Sequence, residues 1–466
     1  MSKTLIFLLA CVISRAAISQ PEGNTLGLDQ FYLLVKDHHP LAKQAKLIVQ
    51  RGQVVVQEAR GAFDPKLVSN YDTKQFEGKN YYEVWDTYVK IPTVLNVDLK
   101  AGYERNDGQF LNPENTVPSS GLYYAGISVP VGRGLVHNSR NIGLKKGMVE
   151  QRTLQNQAYS VYNNLFLDAN YIYWTWFGTY QKLKVATSNL ELMTERFLGI
   201  REGALNGENA TIDSVEALIQ VQTWMNNLEK TKIDYQNATL QMQNFIWDPD
   251  TNMDEIQPDT VWSRGVVFAV DNYVDFAMRN HPDLNTLEAR LNGLELDRRL
   301  AAENIKPILN LNYNFITGGD RSDENLTGVT NNYKGGVEFS FPLFIRKERA
   351  KLKQTKIKIE EGDLKLGHKT REVTNKVFQS YGKMTVLQNM IVQQRQIIDN
   401  YEILLNGEKT KFDNGESSIF LINTRENKKI AAELKLVELE ADYGRALGFI
   451  NWSSSFYIDG LINQVQ

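Results

Sequence analysis

The chain states its own opening twice. "KDHHPLAKQAKL" at residues 36–47 returns as "RNHPDLNTLEAR" at 279–290, each with a polar cluster, His-Pro and a helical pattern behind it. Other landmarks follow in the same order. His39-Pro40 and His281-Pro282 lie 242 residues apart, and so do Pro65 and Pro307, each ahead of an aromatic-bearing alternating stretch. "ISVPVGRG" (Ile127–Gly134) matches "FSFPLFIR" (Phe339–Arg346), with Pro130 and Pro342 separated by 212. "LNGENATIDSVEA" (Leu205–Ala217) matches "DNGESSIFLINTR" (Asp413–Arg425), with Gly207 and Gly415 separated by 208. The preserved order argues against chance and divides the chain into two copies of one unit, 20–250 and 251–466. The offset falls by 30 between the second and third landmarks, so the first copy carries about that many additional residues around 70–125.

Proline supports the division. None occurs between Pro130 and Pro249, and none after Pro342. Because proline inside a helix costs about 3 kcal/mol or more, two long proline-free tracts with Asn-Gly near the middle predict two helical hairpins, about 137–247 and about 344–451. In the second tract Leu387, Ile391, Gln394, Ile398, Tyr401 and Leu405 step by 4, 3, 4, 3, 4, and Met390, Ile397 and Leu404 recur every seven. Ile430, Leu434 and Val437 continue the pattern after the turn. This is coiled-coil spacing. A helix of some 60 residues is about 90 Å long, beyond an ordinary globular core. Read alone, the spacing also fits a solitary antiparallel coiled coil.

Between the helical tracts the period becomes two. Leu309, Leu311, Tyr313 and Phe315 alternate with Asn310, Asn312 and Asn314, and Tyr333, Val337, Phe339 and Phe341 alternate with Lys334, Glu338 and Ser340. The first copy alternates Leu95, Val97, Leu99, Ala101 and Tyr103 with polar residues, and then Tyr123, Ala125, Ile127 and Val129. These predict strands with one apolar and one polar face, in pairs at about 66–131 and about 307–342. Polar, glycine-bearing loops at 104–121 and 317–332 join each pair. The additional segment around 70–95 either lengthens a strand or adds a small subdomain. Its Tyr81, Tyr82, Trp85 and Tyr88 suit a membrane-interface belt or a soluble β core.

The N-terminus reads as a targeting segment over 1–19: Lys3, an apolar run Leu5–Ile13 too short to span a membrane, and "AIS" before Gln20. Its removal takes Lys3 and Arg15 and shifts the net charge from −3 to about −5. The single cysteine, Cys11, lies inside it, so the mature chain has no thiol for disulfides, metals or nucleophilic catalysis. "LLAC" also resembles a lipoprotein signal, in which Cys11 is acylated and retained. Charged residues make up 23% of the chain and nearly cancel, which gives no reason to expect nucleic-acid binding.

Four amphipathic strands cannot close a barrel, and the smallest membrane barrels have eight. Open strand edges are not tolerated in lipid. Membrane strands of this kind must therefore be pooled among several chains; a soluble sheet packed on helices leaves two 90 Å hairpins without a purpose (about 1.5 Å per residue).

With its duplicated His-Pro start, strand pairs ending in "SVPVG" or "SFPLF", and paired Asn-Gly turns between long helices, the chain resembles the outer-membrane efflux protein family, the TolC-like channel-tunnels, over essentially its whole mature length. The resemblance implies a mainly α fold with membrane β: a long α-helical coiled-coil barrel plus four transmembrane strands per chain, sharing a twelve-stranded β-barrel in a homotrimer. It implies a passive exit duct, without cofactor or catalysis, in the outer membrane and periplasm. Implied partners are a periplasmic adaptor, an inner-membrane transporter and outer-membrane lipid. The loops at 104–121 and 317–332 then face outside, and the turns at Gly207 and Gly415 lie at the periplasmic tip. Leu205, Asn206, Gly207, Asn414, Gly415 and Glu416 are the implied adaptor contacts. Asp213 and Glu216 match the family's acidic gate positions; the second copy holds Leu421 and Thr424 there, so a second acidic ring is missing. The same Asp213 and Glu216 also read as a helix-N-terminal acidic cluster with Thr211 as a cap, and the Asn-Gly pairs as helix terminators. The alternative function is a poreless periplasmic or lipid-anchored coiled-coil scaffold.

Other motifs point nowhere else. His38 and His39 lack carboxylate or thiol partners at ligand spacing, as do His137, His281 and His368. "GRG" at 132–134 lacks the Lys-Ser/Thr of a phosphate loop. "WTWF" at 174–177 reads as packing, and no catalytic elbow or zincin helix occurs.

Overall fold

Each His-Pro pair turns out to be a joint between two helices. The structure, a computed structural model, describes residues 25–208, 210–248, 251–259, 267–318 and 332–458. The predicted targeting segment with Cys11, and all of the 317–332 loop but its ends, lie outside the described residues. Helix α1 (Leu28–His38) stops at His39 and α2 (Pro40–Arg60) begins behind it; α5 (Val270–Asn280) and α6 (Pro282–Glu303) repeat the arrangement around His281. Proline suits the first helical position, where its missing N–H is not needed. The preceding histidine sits in extended backbone and caps the new helix. His39 Nδ1 accepts from the Leu41 amide at 3.1 Å, and His281 Nδ1 from the Asp283 amide at 3.2 Å. Burial lowers the pKa of both imidazoles, that of His281 to about 4, which keeps them neutral and able to accept.

The element order then recurs: strands, a very long helix and a shorter one. Helix α3 (Ser139–Leu205, 67 residues) precedes α4 (Thr211–Gln243), and α7 (Arg346–Asp413, 68 residues) precedes α8 (Ile419–Ser454). The chain divides into two units, and α3 and α7 contribute to both.

The first unit comprises residues up to 42, 164–269 and 379–452. It holds α1, α4, most of α8, the C-terminal parts of α3 and α7, and a two-stranded parallel pair, β1 (Thr25–Leu26) with β6 (Gln257–Pro258). The 174–177 stretch packs here, as its apolar character suggests. Trp176 and Phe177 are buried, Trp176 Nε1 donates to Thr239 Oγ1 at 3.1 Å, and Trp174 lies where a Cβ on Gly444 would stand, 2.1 Å away. The heptad positions split into two rows. Leu387, Ile391, Leu405, Ile430 and Val437 are buried, and Gln394 donates to the Ala432 carbonyl at 2.9 Å. Met390, Ile397 and Leu404 stay 40–47% exposed.

The second unit comprises residues 43–163, 270–378 and 453 onward. Its sheet has six antiparallel strands in the order β2-β3-β4-β5-β7-β8. The four predicted strands are present as β4 (Asp98–Asp107), β5 (Leu122–Pro130), β7 (Ile308–Gly318) and β8 (Tyr333–Ser340). The expected count of four is corrected to six: the additional segment is neither a lengthened strand nor a subdomain but a further hairpin, β2 (Lys66–Phe76) and β3 (Lys79–Pro92). Glu77 and Gly78 both take positive φ, 53° and 74°, which makes the two-residue turn that suits twisted antiparallel strands. At the opposite end, Glu303, 4% exposed, accepts from the Gly134 amide at 3.1 Å and pairs with Lys306. Asp98 is bound by Lys90 and Arg140 there, at 2.8 and 2.7 Å. Among the described residues no helix is long and apolar enough to cross a membrane.

Candidate functional site

The six-stranded sheet has its polarity inside out. Cross-strand pairing places Leu67, Tyr71, Trp85, Val89, Ile91, Leu99, Ala101, Tyr103, Tyr123, Ile127, Leu311, Tyr313, Phe315, Val337 and Phe339 on one face, with Ser69, Thr73 and Thr87 among them and Glu83, Arg105 and Asp107 at its end. The opposite face carries Lys66, Asn70, Asp72, Asp86, Lys90, Asp98, Lys100, Glu104, Asn312, Lys334 and Glu338. The apolar face is the open one. Leu67 is 74% exposed, Val337 71% and Phe339 68%, while Asp98 on the charged face is 8% exposed. A sheet of a water-soluble protein buries its apolar face and wets the other. The reverse is the pattern of a barrel wall in lipid. Of the aromatic residues expected as a belt, only Trp85 lies on the apolar face by pairing; Tyr82 and Tyr88 lie on the charged one, and Tyr81 packs with Phe76 and Phe110 beside a register shift.

The second site is the pair of turns that end α3 and α7. Both have the same hydrogen bonds. Glu208 N–H reaches the Gly203 carbonyl and Gly207 N–H that of Ala204; Glu416 N–H reaches Lys411 and Gly415 N–H reaches Phe412. Gly207 and Gly415 take φ of 80° and 79°. This is the Schellman arrangement, which needs a left-handed residue and so selects glycine. The Asn-Gly pairs therefore do terminate helices. Beside them Ile200, Ala217 and Ile419 form a buried cluster with Phe197 and Phe412, which brings the two turns' helices together.

The acidic residues separate. Asp213 stands in the first turn of α4, whose N-cap is Ala210 without a side-chain cap. Thr211 is already inside the helix, so the predicted Thr211 cap does not form. Glu216 is tied inward, accepting from Asn423 Nδ2 at 3.2 Å. Asn423 Oδ1 accepts from Arg196 at 3.2 Å, and Arg196 forks onto both oxygens of Glu426, one at 2.8 Å. The Glu426 side chain is 3% exposed. Arg196, Asn423 and Glu426 carry no local sequence signal, because the partners lie more than two hundred positions apart. Leu421 is exposed and the Thr424 hydroxyl donates to the Phe420 carbonyl of its own helix, so the second copy has no acid at the positions that match Asp213 and Glu216. Leu205, Ile212 and Phe420 leave large apolar side chains 61–78% exposed around the turns. Among the described residues no cluster of histidine, cysteine and carboxylates could hold a metal.

Residues 274–447 match the family model described as outer membrane efflux protein. This segment is an outer membrane efflux protein domain. No curated protein matches the chain by sequence. Among solved structures, the outer-membrane channel OprN shares 12% identity over 92% of this chain and 89% of its own, with a TM-score of 0.65. The Campylobacter jejuni CmeC outer membrane channel shares 10% over 92% and 85%, with a TM-score of 0.63. The outer membrane protein VceC from Vibrio cholerae shares 11% over 92% and 95%, with a TM-score of 0.62. At these identities the likeness is one of fold. It extends across the efflux protein domain and the first half alike, so the whole chain has the TolC-like channel fold.

Proposed function

We propose that three copies of this chain assemble into an outer-membrane exit duct that passively conducts small molecules, ions or polypeptides. The observation that carries the reading is the inside-out sheet. Its apolar face needs lipid, its charged face needs water, and its unpaired edges need further strands; a barrel wall shared between copies supplies all three. OprN and CmeC, which share the fold, are outer-membrane channels. The exposed row Met390, Ile397 and Leu404 supports association, since an unpartnered apolar row at heptad spacing calls for a second helix pair. A poreless scaffold would leave that row and the apolar sheet face in water.

In this reading the helical hairpins span the periplasm, and an adaptor coupled to an inner-membrane transporter docks at the turns, on Leu205, Asn206, Gly207, Asn414, Gly415 and Glu416. The exposed Leu205, Ile212 and Phe420 support contact with another protein there. Asp213 is the better gate residue of the two acids, since Glu216 is held by Asn423. Three Asp213 carboxylates around the axis would favour cations and hold them. The test is the mass of the detergent-purified protein by light scattering, corrected for bound detergent, followed by conductance in planar bilayers. Three chains per particle and discrete channels are expected. A monomer or dimer that stays in solution without detergent overturns the reading.

A further inference from the structure

We propose that the shared barrel has eighteen strands, closed by pairing β2 of one chain with β8 of the next copy; this rests on the exit-duct reading and specifies its membrane wall. Which edges are free decides where the wall can close. A barrel made only of β4, β5, β7 and β8 would have to close through the outer edge of β4. That edge is taken: β3 pairs with β4 continuously from Glu83↔Asp107 to Pro92↔Asp98. The sheet ends instead at β2 and β8, whose residues are almost all exposed. Unpaired backbone N–H and C=O groups of an edge cannot stand in lipid.

The polarity of the hairpin agrees. The β2–β3 hairpin continues both faces of the sheet, with small hydroxyl residues Ser69, Thr73 and Thr87 among the apolar ones and Glu83 at the turn end. Leu67, Tyr71, Trp85 and Val89 prolong the apolar face, and Lys66, Asn70, Asp72, Asp86 and Lys90 prolong the charged one. A hairpin lying outside a smaller barrel would press those charges into lipid, where Arg and Lys cost roughly 2–4 kcal/mol each at mid-membrane. Within the wall they face water. Strand length and direction fit as well. At 11 and 14 residues β2 and β3 are long enough to cross the hydrocarbon, for which about 9–11 suffice. Every neighbouring pair in the sheet is antiparallel, so the first and sixth strands run in opposite directions and meet antiparallel in the next copy, with an even strand total. With strands ~4.8 Å apart and tilted by about 40°, eighteen strands give a barrel about 36 Å across its backbone, against about 24 Å for twelve. The membrane part of the duct is then half as wide again as a twelve-stranded exit.

Disulfide trapping tests this in a chain whose one native cysteine is Cys11. Asn70→Cys or Asp72→Cys in β2 is combined in turn with Lys334→Cys, Gly336→Cys or Glu338→Cys in β8, all on the charged face. Lys100→Cys in β4 with the same three positions forms the opposing panel. A disulfide needs Cα atoms within about 7 Å, so only adjacent strands cross-link. Oxidation should convert at least one β2–β8 pair into covalent oligomers and none of the β4–β8 pairs. Electron cryomicroscopy of the unmodified trimer counts the wall directly, and eighteen strands are expected. β4–β8 cross-links, or twelve strands in a trimer, overturn the proposal while leaving the duct intact. A protein that is not trimeric overturns both.

Discussion

Replacing Arg196, whose side chain is 17% exposed, should loosen the helix ends strongly. Its guanidinium forks onto Glu426, whose side chain is 3% exposed, and also reaches Asn423, which in turn holds Glu216. Arg196→Ala leaves the Glu426 carboxylate buried without its hydrogen-bonded counter-charge, with only Lys429, already paired with Glu402 and Glu433, nearby, and leaves Asn423 Oδ1 without its donor. Breaking a buried pair from one side costs about 3–5 kcal/mol. At about 1.4 kcal/mol per tenfold, local opening of the start of α8 should rise roughly a hundred- to several thousand-fold. Hydrogen exchange read by mass spectrometry on the detergent-solubilised protein measures this at peptides covering 419–430. The control removes the charge on both sides. Arg196→Met with Glu426→Leu leaves no orphaned ion, and replacing a buried pair by apolar residues of similar size is often neutral. Exchange in the double variant should return to within about tenfold of the native protein. Unchanged exchange in Arg196→Ala, or a double variant as labile as the single one, would refute the reasoning that a buried, mutually dependent ion pair holds these helices.

Three further outcomes follow from the same structure. His281 is neutral in the folded chain with a pKa pushed down to about 4, whereas an unfolded imidazole protonates near 6.5; its contribution is therefore complete above about 6.5 and lost as pH falls to about 4, up to about 3 kcal/mol. His281→Asn keeps a cap without titrating, so melting temperatures should fall between pH 7 and pH 5 in the native protein and much less in the variant, and an equal fall would dismiss the cap as the cause. Gly207→Val or Gly415→Val forces a branched side chain into left-handed backbone at about 1–2 kcal/mol each and should speed protease cutting at the turn concerned; equal cutting would show that the turn relaxes freely. Asp213→Asn should weaken block of the channel by multivalent cations in planar bilayers, and Glu216→Gln should not; identical block in both variants and the native protein would remove the acidic gate.

The joints and the long helices were legible because each rests on a residue that cannot be elsewhere. Pro40 and Pro282 cannot sit inside a helix without breaking it, and Gly207 and Gly415 can take the left-handed turn that other residues resist. The alternation of 309–315 was legible because asparagine and large apolar residues strictly exchange places. The hairpin at 66–92 was not. Its apolar face is interrupted by Ser69, Thr73 and Thr87, of which two satisfy each other across the strands: Ser69 and Thr87 share a hydrogen bond of 2.8 Å, and Trp85 donates to Ser69 at 3.0 Å. The hydroxyls make the period of two faint in the sequence while leaving the strand pairing intact in three dimensions. Its turn, Glu77-Gly78, is also not the Asn-Gly that advertises a hairpin. The clamp at Arg196 was hidden for a different reason, since no period links it to Asn423 and Glu426 on another helix. What pattern reveals is therefore the scaffold repeated in each copy. What it conceals are the departures from the repeat, and here those departures set the number of strands in the sheet and how firmly the helix ends beside the turns are held.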